Sequence, residues 1–455
     1  MKKQWCKKIV AGTLAFFLAF GLFQLPQSAS AEEALNINAQ AAILVDAKSG
    51  KILYEKNSDT ALGIASMTKM MTEFLLLEAV EEGRLSFDQK YTVSDYVYKV
   101  SQDTSLSNVP LKVGEQYTIQ ELYEAMAIYS ANGATIAIAE KIAGTEANFV
   151  KMMNEKAEEL GLDNYHFVNS TGLNNADLFG LHPEGTGAED ENTMSAKATA
   201  TLAFELINQY PEVLETSSIP KKWFRPGIDD EQTEMDNWNF MLPSLVFEYE
   251  GIDGIKTGTT DFAGSCFTGT AERNGMRFIT VVMDAKPPEG VIPPDKSKPR
   301  FDETRKMLDF AFSNFSVEEL VPAGYEVDKQ KNMPVVKGKE DKVGVISEAP
   351  ITAMVRNGEK DKYKPVFTPA KKALNEEGEL EAPIKKDQAV GTLTVEYDGE
   401  DLGYLTPKAA ESITVNMVAD KSVEKANWFV LSLRAIGGFF VDVWNSVVSG
   451  IKGLF

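Results

Sequence analysis

A chain of 455 residues has room for two or three domains, since one domain takes roughly 100–200 residues. Its 44% apolar and 25% charged content is that of an ordinary folded protein, and 67 acidic against 46 basic side chains give a net charge of −21. So acidic a chain is a poor partner for nucleic acid, whose binding rests on neutralising phosphates, and two histidines, His166 and His182, are too few to assemble a zinc cluster.

In chain order the first signal is a leader. Lys2, Lys3, Lys7 and Lys8 precede an apolar stretch over 9–23, and Ala29-Ser30-Ala31 is a small-residue cleavage site. The mature chain is expected to begin near Glu32, exported and more acidic still. Cys6 leaves with the leader, which makes Cys266 the sole thiol and excludes an intramolecular disulfide.

Residues 41–45 and 52–54 read as strands joined by a turn at Lys48-Ser49-Gly50. A long helix is predicted over 66–82, stopped by Gly83. Thr118-Ile119-Gln120-Glu121 is a capping box that opens another helix ending near Ser130. Further helices are predicted over 133–143, over 146–160 with Gly161 as its cap, and over 195–208 after an acidic loop at 189–191. Strands resume at 254–257, and 265–271 pairs with 277–284 across Arg273-Asn274-Gly275, a strong hairpin signal. Residues 287–299, with five prolines, read as a loop, and 302–312 as a closing helix.

Strands, then many helices, then strands predict an α+β domain. Its antiparallel sheet is built from both ends of the segment and flanked by helices, with a helical region inserted between. Over 316–423 short apolar runs alternate with charged turns, which reads as a small β-rich domain serving as a spacer. From 428 to 455, Arg434, Gly438, Asp442, Asn445, Ser449 and Lys452 fall on one stripe of a helix and apolar or aromatic residues on the other. This pattern suits an amphipathic helix lying in a membrane interface; no apolar run reaches the roughly 20 residues a spanning helix needs. The expected divisions are a signal peptide over 1–31, a catalytic domain over 32–315, the β-rich domain over 316–423 and the anchor over 424–455.

Three short motifs carry the chemistry: Ser66-Met67-Thr68-Lys69, Ser130-Ala131-Asn132 and Lys256-Thr257-Gly258. A serine hydroxyl is a weak nucleophile and must lose its proton as it attacks. Ser66 and Lys69 lie one helical turn apart and so share a face. A lysine acts as base only when its amine is neutral, which requires burial or a neighbouring cation, and Lys256 is a candidate for that cation. The first turn of a helix also places Ser66 at its positive end. Ser-x-x-Lys occurs four times, at Ser66, Ser218, Ser422 and Ser449, but only Ser66 opens a strong helix. Ser66 is not in a Gly-x-Ser-x-Gly elbow, which argues against a serine–histidine–aspartate triad.

With its longer signatures Ile64-Ala65-Ser66-Met67-Thr68-Lys69-Met70-Met71-Thr72 and Asp253-Gly254-Ile255-Lys256-Thr257-Gly258-Thr259-Thr260, the chain resembles the low-molecular-mass penicillin-binding proteins, specifically D-alanyl-D-alanine carboxypeptidases of the penicillin-binding protein 5 type. The resemblance covers the whole chain and implies the serine β-lactamase/penicillin-binding fold. It implies that Ser66 is acylated, Lys69 is its general base, and Ser130 relays a proton to the leaving D-alanine. Asn132 would bind the substrate amide, and Lys256, Thr257, Gly258 and Thr259 would form the wall holding the terminal carboxylate, with help from Arg300. Backbone N–H groups of Ser66 and Thr259 would make the oxyanion hole. No metal or other cofactor is implied. The implied partners are peptidoglycan stem peptides ending in D-Ala-D-Ala, β-lactam antibiotics and, through the tail, the membrane surface at the outer face of the cytoplasmic membrane.

Other readings share these motifs. A DD-endopeptidase or transpeptidase differs only in what meets the acyl-enzyme. A serine β-lactamase of class A needs a Glu-x-x-Leu-Asn loop; the nearest match, Glu159-Leu160-Gly161-Leu162-Asp163, ends in aspartate and sits at a helix stop. An inactive wall-binding scaffold would keep the fold without an intact nucleophile. Cys266, eight residues beyond Gly258, reads as a buried inert thiol close enough to the site for a bulky reagent to interfere.

Overall fold

Two segments far apart in sequence build one antiparallel sheet. Ala39–Asp46 and Ile52–Lys56 come from the start of the chain, and Ile252–Thr260, Gly264–Arg273 and Met276–Ala285 from much later. In space the order is Ile252–Thr260, Gly264–Arg273, Met276–Ala285, Ala39–Asp46, Ile52–Lys56. The two segments join where Ala41 faces Met283 and Val45 faces Ile279. Asn274 and Gly275 both take positive φ, 53° and 75°, as a tight turn matching the strand twist requires. The α+β expectation, with both ends of the segment in one sheet, is met. The computed structural model describes residues 35–429 except 229, 230, 294 and 329, together with 431, 432, 444 and 448. The leader expected over 1–31 lies outside the described residues, as does most of the tail expected over 428–455.

Helices cover both faces, so the strands read as near-continuous apolar runs rather than an alternation. On one side Lys69–Glu81 and Ala196–Gln209 pack on Ile43, Val45, Ile279, Val281 and Met283 in a single core. On the other, Lys298–Asn314 buries Phe301, Met307, Leu308 and Ala311. The Lys69–Glu81 helix is buried from Lys69 through Leu77 without interruption, so its charged residues Lys69 and Glu73 are inside the protein. The inserted helical region has its own core, where Ile119–Tyr129 and Asn132–Ala143 bring Leu122, Met126, Ile136 and Ile138 against Leu76 and Ala79. Thr118 and Glu121 close the expected capping box reciprocally, and helix Glu146–Glu159 is likewise in place.

The structure also departs from the expected elements. Ser66 sits in a 3₁₀ turn, Ala65–Thr68, and the α-helix proper starts at Lys69. Ala65 has φ 47°, a left-handed kink that an α-helical start does not allow. The closing helix begins at Lys298, four residues early, because Pro299 falls in its first turn, where a missing N–H costs nothing. Arg300 is therefore a helical residue. Several short elements were not foreseen: the pair Lys90–Thr92 with Gln116–Thr118, helices Asp95–Ser101 and Val213–Ser217, and the hairpin Lys221–Phe224 with Thr233–Asp236.

Beyond Asn314 the chain becomes β-rich. Phe315–Val321 pairs with Ile351–Arg356, and a six-stranded sheet runs Tyr363–Pro369, Ala389–Tyr397, Val415–Ala419, Lys342–Ser347, Asn332–Val336, Leu380–Glu381. Its separate core includes Val343, Val345, Leu393 and Met417. A loop of this region returns to the first sheet. Ile52 N donates to Gly403 O at 3.0 Å and Leu405 N to Gly50 O at 2.9 Å. Leu405 is buried in the core beneath the first sheet, and Lys51 pairs with Asp401 at 3.1 Å. Among the described residues no helix is long and apolar enough to cross a membrane.

Candidate active site

The three motifs converge on one cleft. Ser66, Ser130, Thr257, Thr259 and Arg300 line it, together with Ser107 and Trp238. Lys69, Asn132 and Lys256 lie just behind the surface, between 1% and 5% exposed. With Gly258 lying between Thr257 and Thr259 on the same strand, all nine residues singled out in the sequence belong to one neighbourhood.

Gly258 explains how the nucleophile turn and the edge strand come together. A Cβ there would lie 2.5 Å from the Ile64 carbonyl oxygen and 3.3 Å from Ala65 Cβ, so only a bare backbone lets strand Ile252–Thr260 lie against the turn carrying Ser66. That strand is the sheet's outermost, and an edge strand leaves alternate backbone N–H and C=O groups without a strand partner.

Lys69 Nζ is 3.0 Å from Ser66 Oγ, 2.8 Å from Asn132 Oδ1 and 2.7 Å from the Thr171 carbonyl oxygen. Burial first, and the Lys256 cation second, hold its pKa well below the usual value. A neutral amine has two N–H groups and one lone pair. The two carbonyl oxygens take both N–H groups, which leaves the lone pair for the Ser66 hydroxyl. The geometry is that of a base set on its proton.

Ser130 ends helix Ile119–Tyr129 with φ 61°, a left-handed cap, and Asn132 begins the next helix. This break turns Ser130 into the cleft, where its buried Oγ has no hydrogen-bond partner. Asn132 is held on both sides, because Oδ1 accepts from Lys69 and Nδ2 donates one N–H to the Ser107 carbonyl at 3.1 Å. Lys256 Nζ makes a single bond, 3.2 Å to the Thr257 carbonyl oxygen, and burial pulls its pKa down to about 7. Arg300, 4% exposed, donates to Gly258 O at 2.8 Å, Cys266 O at 2.9 Å and Thr259 Oγ1 at 2.7 Å. It thus clamps the end of the edge strand. Burial lowers its pKa to about 10, which still leaves it charged at neutral pH.

Sequence reasoning missed the segment that supplies the Thr171 carbonyl. Asn169 Oδ1 accepts from the backbone N–H groups of Thr171 and Gly172, and Asn192 Oδ1 from those of Val168 and Asn169. Asn192 Nδ2 in turn donates to Thr68 Oγ1 at 2.9 Å, tying this loop to the nucleophile turn. Gly172 has φ 83° and passes so close to Ala65 that a Cβ would meet its carbonyl oxygen at 1.8 Å. In sequence Asn169-Ser170-Thr171-Gly172 reads only as a loop. Trp238 was missed as well; its indole N–H donates to the Tyr129 carbonyl at 3.0 Å and its ring stacks on Tyr129 at the cleft wall.

Cys266 is fully buried and burial raises its pKa to about 11, so the thiolate is suppressed. Its contribution to the site is its backbone carbonyl, which holds Arg300. Glu159 points to solvent and pairs with Lys156 at 2.6 Å, away from the cleft lining. Among the described residues no cluster of histidine, cysteine, aspartate or glutamate is arranged to hold a metal.

Residues 27–287 match the D-alanyl-D-alanine carboxypeptidase family, and residues 315–425 match the C-terminal domain of penicillin-binding protein 5. The chain is 34% identical to D-alanyl-D-alanine carboxypeptidase DacF of Bacillus subtilis over 399 residues, covering 88% of this chain and 89% of that one. Its fold is similar to the peptidoglycan synthesis regulatory factor PBP3 of Streptococcus pneumoniae, with a TM-score of 0.71 and 37% identity over 86% of this chain and 100% of that one. It is also similar to penicillin-binding protein 5 of Haemophilus influenzae, with a TM-score of 0.64 and 26% identity over 86% and 98%. The chain belongs to the D-alanyl-D-alanine carboxypeptidase family: it is a serine-type DD-carboxypeptidase, with a penicillin-binding fold followed by a β-rich domain of the penicillin-binding protein 5 type.

Proposed function

We propose that the enzyme trims the terminal D-alanine from peptidoglycan stem peptides through an acyl-enzyme on Ser66. The observation that carries this reading is Lys69, a buried amine with both N–H groups engaged and Ser66 Oγ at 3.0 Å. Ser66 Oγ attacks the carbonyl carbon of the penultimate D-alanine and its proton passes to Lys69 Nζ. The oxyanion sits between the backbone N–H groups of Ser66 and Thr259, where a lost donor costs about 10²–10³ in rate. As the C–N bond breaks, the Ser130 hydroxyl hands a proton to the leaving amine and takes one from Lys69, which returns to its neutral form. Water then attacks the ester with Lys69 again as base, freeing Ser66 and the shortened peptide. Lys256, Thr257 and Thr259 hold the terminal carboxylate, and Arg300 keeps Thr259 in place. Asn132 steadies Lys69 and lies where the substrate amide passes.

A β-lactam carries a carboxylate and an acylating carbonyl in the same relation, so penicillin acylates Ser66 by the same route. The reading extends to the chain's organisation: a signal peptide over 1–31, a catalytic domain over 32–315, a β-rich spacer over 316–423 and an amphipathic anchor over 424–455 that holds the exported enzyme at the outer face of the cytoplasmic membrane. Trp428, Phe429 and Trp444, all exposed, supply the aromatic content suited to such an interface.

The test is D-alanine release from a diacyl-Lys-D-Ala-D-Ala peptide by the wild type and by Ser66→Ala. Release by the wild type alone, together with a penicillin adduct whose mass maps to Ser66, is the expected result. Turnover by Ser66→Ala at more than a few per cent of wild type would remove Ser66 as nucleophile.

A further inference from the structure

From Val168 to Leu173 every backbone N–H donates to a side chain. Val168 and Asn169 donate to Asn192 Oδ1, Thr171 and Gly172 to Asn169 Oδ1, and Leu173 to Thr171 Oγ1. Those acceptors belong to the loop itself or to Asn192 beside it. Ser170 differs: its N–H reaches Glu146 Oε1 at 2.9 Å, and its hydroxyl reaches the same oxygen at 2.6 Å. Glu146 is the first residue of helix Glu146–Glu159, 4% exposed and outside the cleft lining.

The second oxygen, Oε2, accepts from the Tyr96 hydroxyl of helix Asp95–Ser101 at 2.7 Å, so both carboxylate oxygens are engaged. Burial and the charge of Glu140, from helix Asn132–Ala143, favour the protonated form of Glu146, and its three donors oppose them. Oε1 can accept from Ser170 in either form, so the tether depends on where the oxygen stands rather than on charge. Without it the Ser170 N–H and hydroxyl would be buried with no acceptor, which is costly.

The other side of the loop grips the helix of the base. Thr72 Oγ1 donates to the Ser170 carbonyl at 2.8 Å, and Lys69 Nζ to the Thr171 carbonyl at 2.7 Å. Thr72 and Lys69 are three residues apart on helix Lys69–Glu81, so they take two successive carbonyls from one face. Ser170 is thus held at its N–H, its hydroxyl and its carbonyl, and the next carbonyl along engages the base. Since Asn132 takes the other N–H of Lys69, the direction of its lone pair depends on the Thr171 oxygen.

We propose that Glu146 is a positioning residue for the reaction: its side chain fixes Ser170, and through Ser170 the Thr171 carbonyl that turns the Lys69 lone pair towards Ser66. The inference rests on reading Lys69 as the general base.

The test follows penicillin acylation of the full chain against pH in the wild type, Glu146→Ala, Glu146→Gln and Glu146→Asp, resolving the acylation rate constant from initial binding. In Glu146→Ala the rate constant should fall about a hundredfold, with initial binding unchanged. Its rising limb should also move to lower pH, because a carbonyl stabilises an ammonium more than an amine and its withdrawal lets Lys69 deprotonate sooner. The other charges about Lys69, Lys256 on the edge strand and Glu73 one turn on in its own helix, are left in place. Glu146→Gln keeps an acceptor oxygen at full reach and should recover most of the rate. Glu146→Asp, one methylene short, should lose about tenfold, and it carries the test where Glu146→Ala does not fold. A folded Glu146→Ala or Glu146→Asp with the wild-type rate and limb, changed only in Tm, overturns the proposal; so does a Glu146→Gln as slow as Glu146→Ala. A wild-type rate that does not rise with pH would remove Lys69 as base, and the underlying reading fails. If it does rise and the variants match it, the Glu146 inference alone fails.

Discussion

On the proposed reading Lys69 and Lys256 are needed in opposite protonation states, and burial favours the neutral Lys69 but works against the Lys256 cation. Lys69 accepts a proton only when neutral, so acylation should rise with pH as it titrates, from a pKa held well below the usual lysine range. Lys256 serves only as a cation, so the free enzyme should lose affinity for a carboxylate as pH climbs past about 7. The expected kcat/KM profile is a bell with its falling limb near that value, measured by D-alanine release across a buffer series. Efficiency that continues to climb far above neutrality would take Lys256 out of carboxylate binding. At this scale the closeness of Ser66 and Lys69 was legible because a helical turn, 3₁₀ or α, puts residues three apart on one face. The Thr171 carbonyl was not, since a backbone oxygen has no residue code and its position depends on Asn169, Gly172 and Asn192 folding around it.

The elements legible in sequence were those whose own residues stabilise them. The capping box at Thr118, the glycines Gly83 and Gly161 at helix ends, and the Asn274-Gly275 turn each satisfy local backbone needs, so they can be read locally. Strands such as Lys90–Thr92 and Leu62–Gly63 are two or three residues long and show no period; they exist because a partner strand meets them. The Ala65–Thr68 turn was legible as a helix but not as a 3₁₀ segment, because its shape is set by the strand pressed against it. That contact gives a prediction at this scale. Gly258→Ala places a methyl 2.5 Å from the Ile64 carbonyl oxygen, a backbone atom with little room to yield, and 3.3 Å from side-chain atoms of Ala65 and Met67. Displacing the strand by a fraction of an ångström should cut the rate of penicillin acylation by about 10²-fold with the circular dichroism spectrum unchanged. Acylation at the wild-type rate would mean that the turn and strand need not touch.

Across the whole molecule the β-rich domain is more than an appendage, because its loop supplies part of the catalytic core. Leu405 packs there, Leu405 N reaches Gly50 O, and Lys51 lies over the rings of Tyr397 and Tyr404 while pairing with Asp401. Leu405→Ala should therefore destabilise the catalytic unit itself, by about 2–5 kcal/mol, read as an earlier loss of penicillin binding on urea titration. Coincident midpoints for the variant and the wild type would show the loop to be merely resting on the surface. That both ends of the segment share one sheet was readable from which segments were strands, but this docking was not: Asp401-Leu402-Gly403-Tyr404-Leu405 is too short to show a period, and its place depends on partners at 50–52.

The placement of that loop bears on self-association. A sheet with two open sides is a template for stacking against its own copies. Here the side ending in Ile52–Lys56 is partly sealed by residues 403–405 of the same chain, and the side formed by Ile252–Thr260 is covered by the nucleophile turn and by Leu214 and Ser217, with only Thr259 exposed. The protein's guard against clumping is thus built in on both flanks and does not wait for the cleft to be occupied.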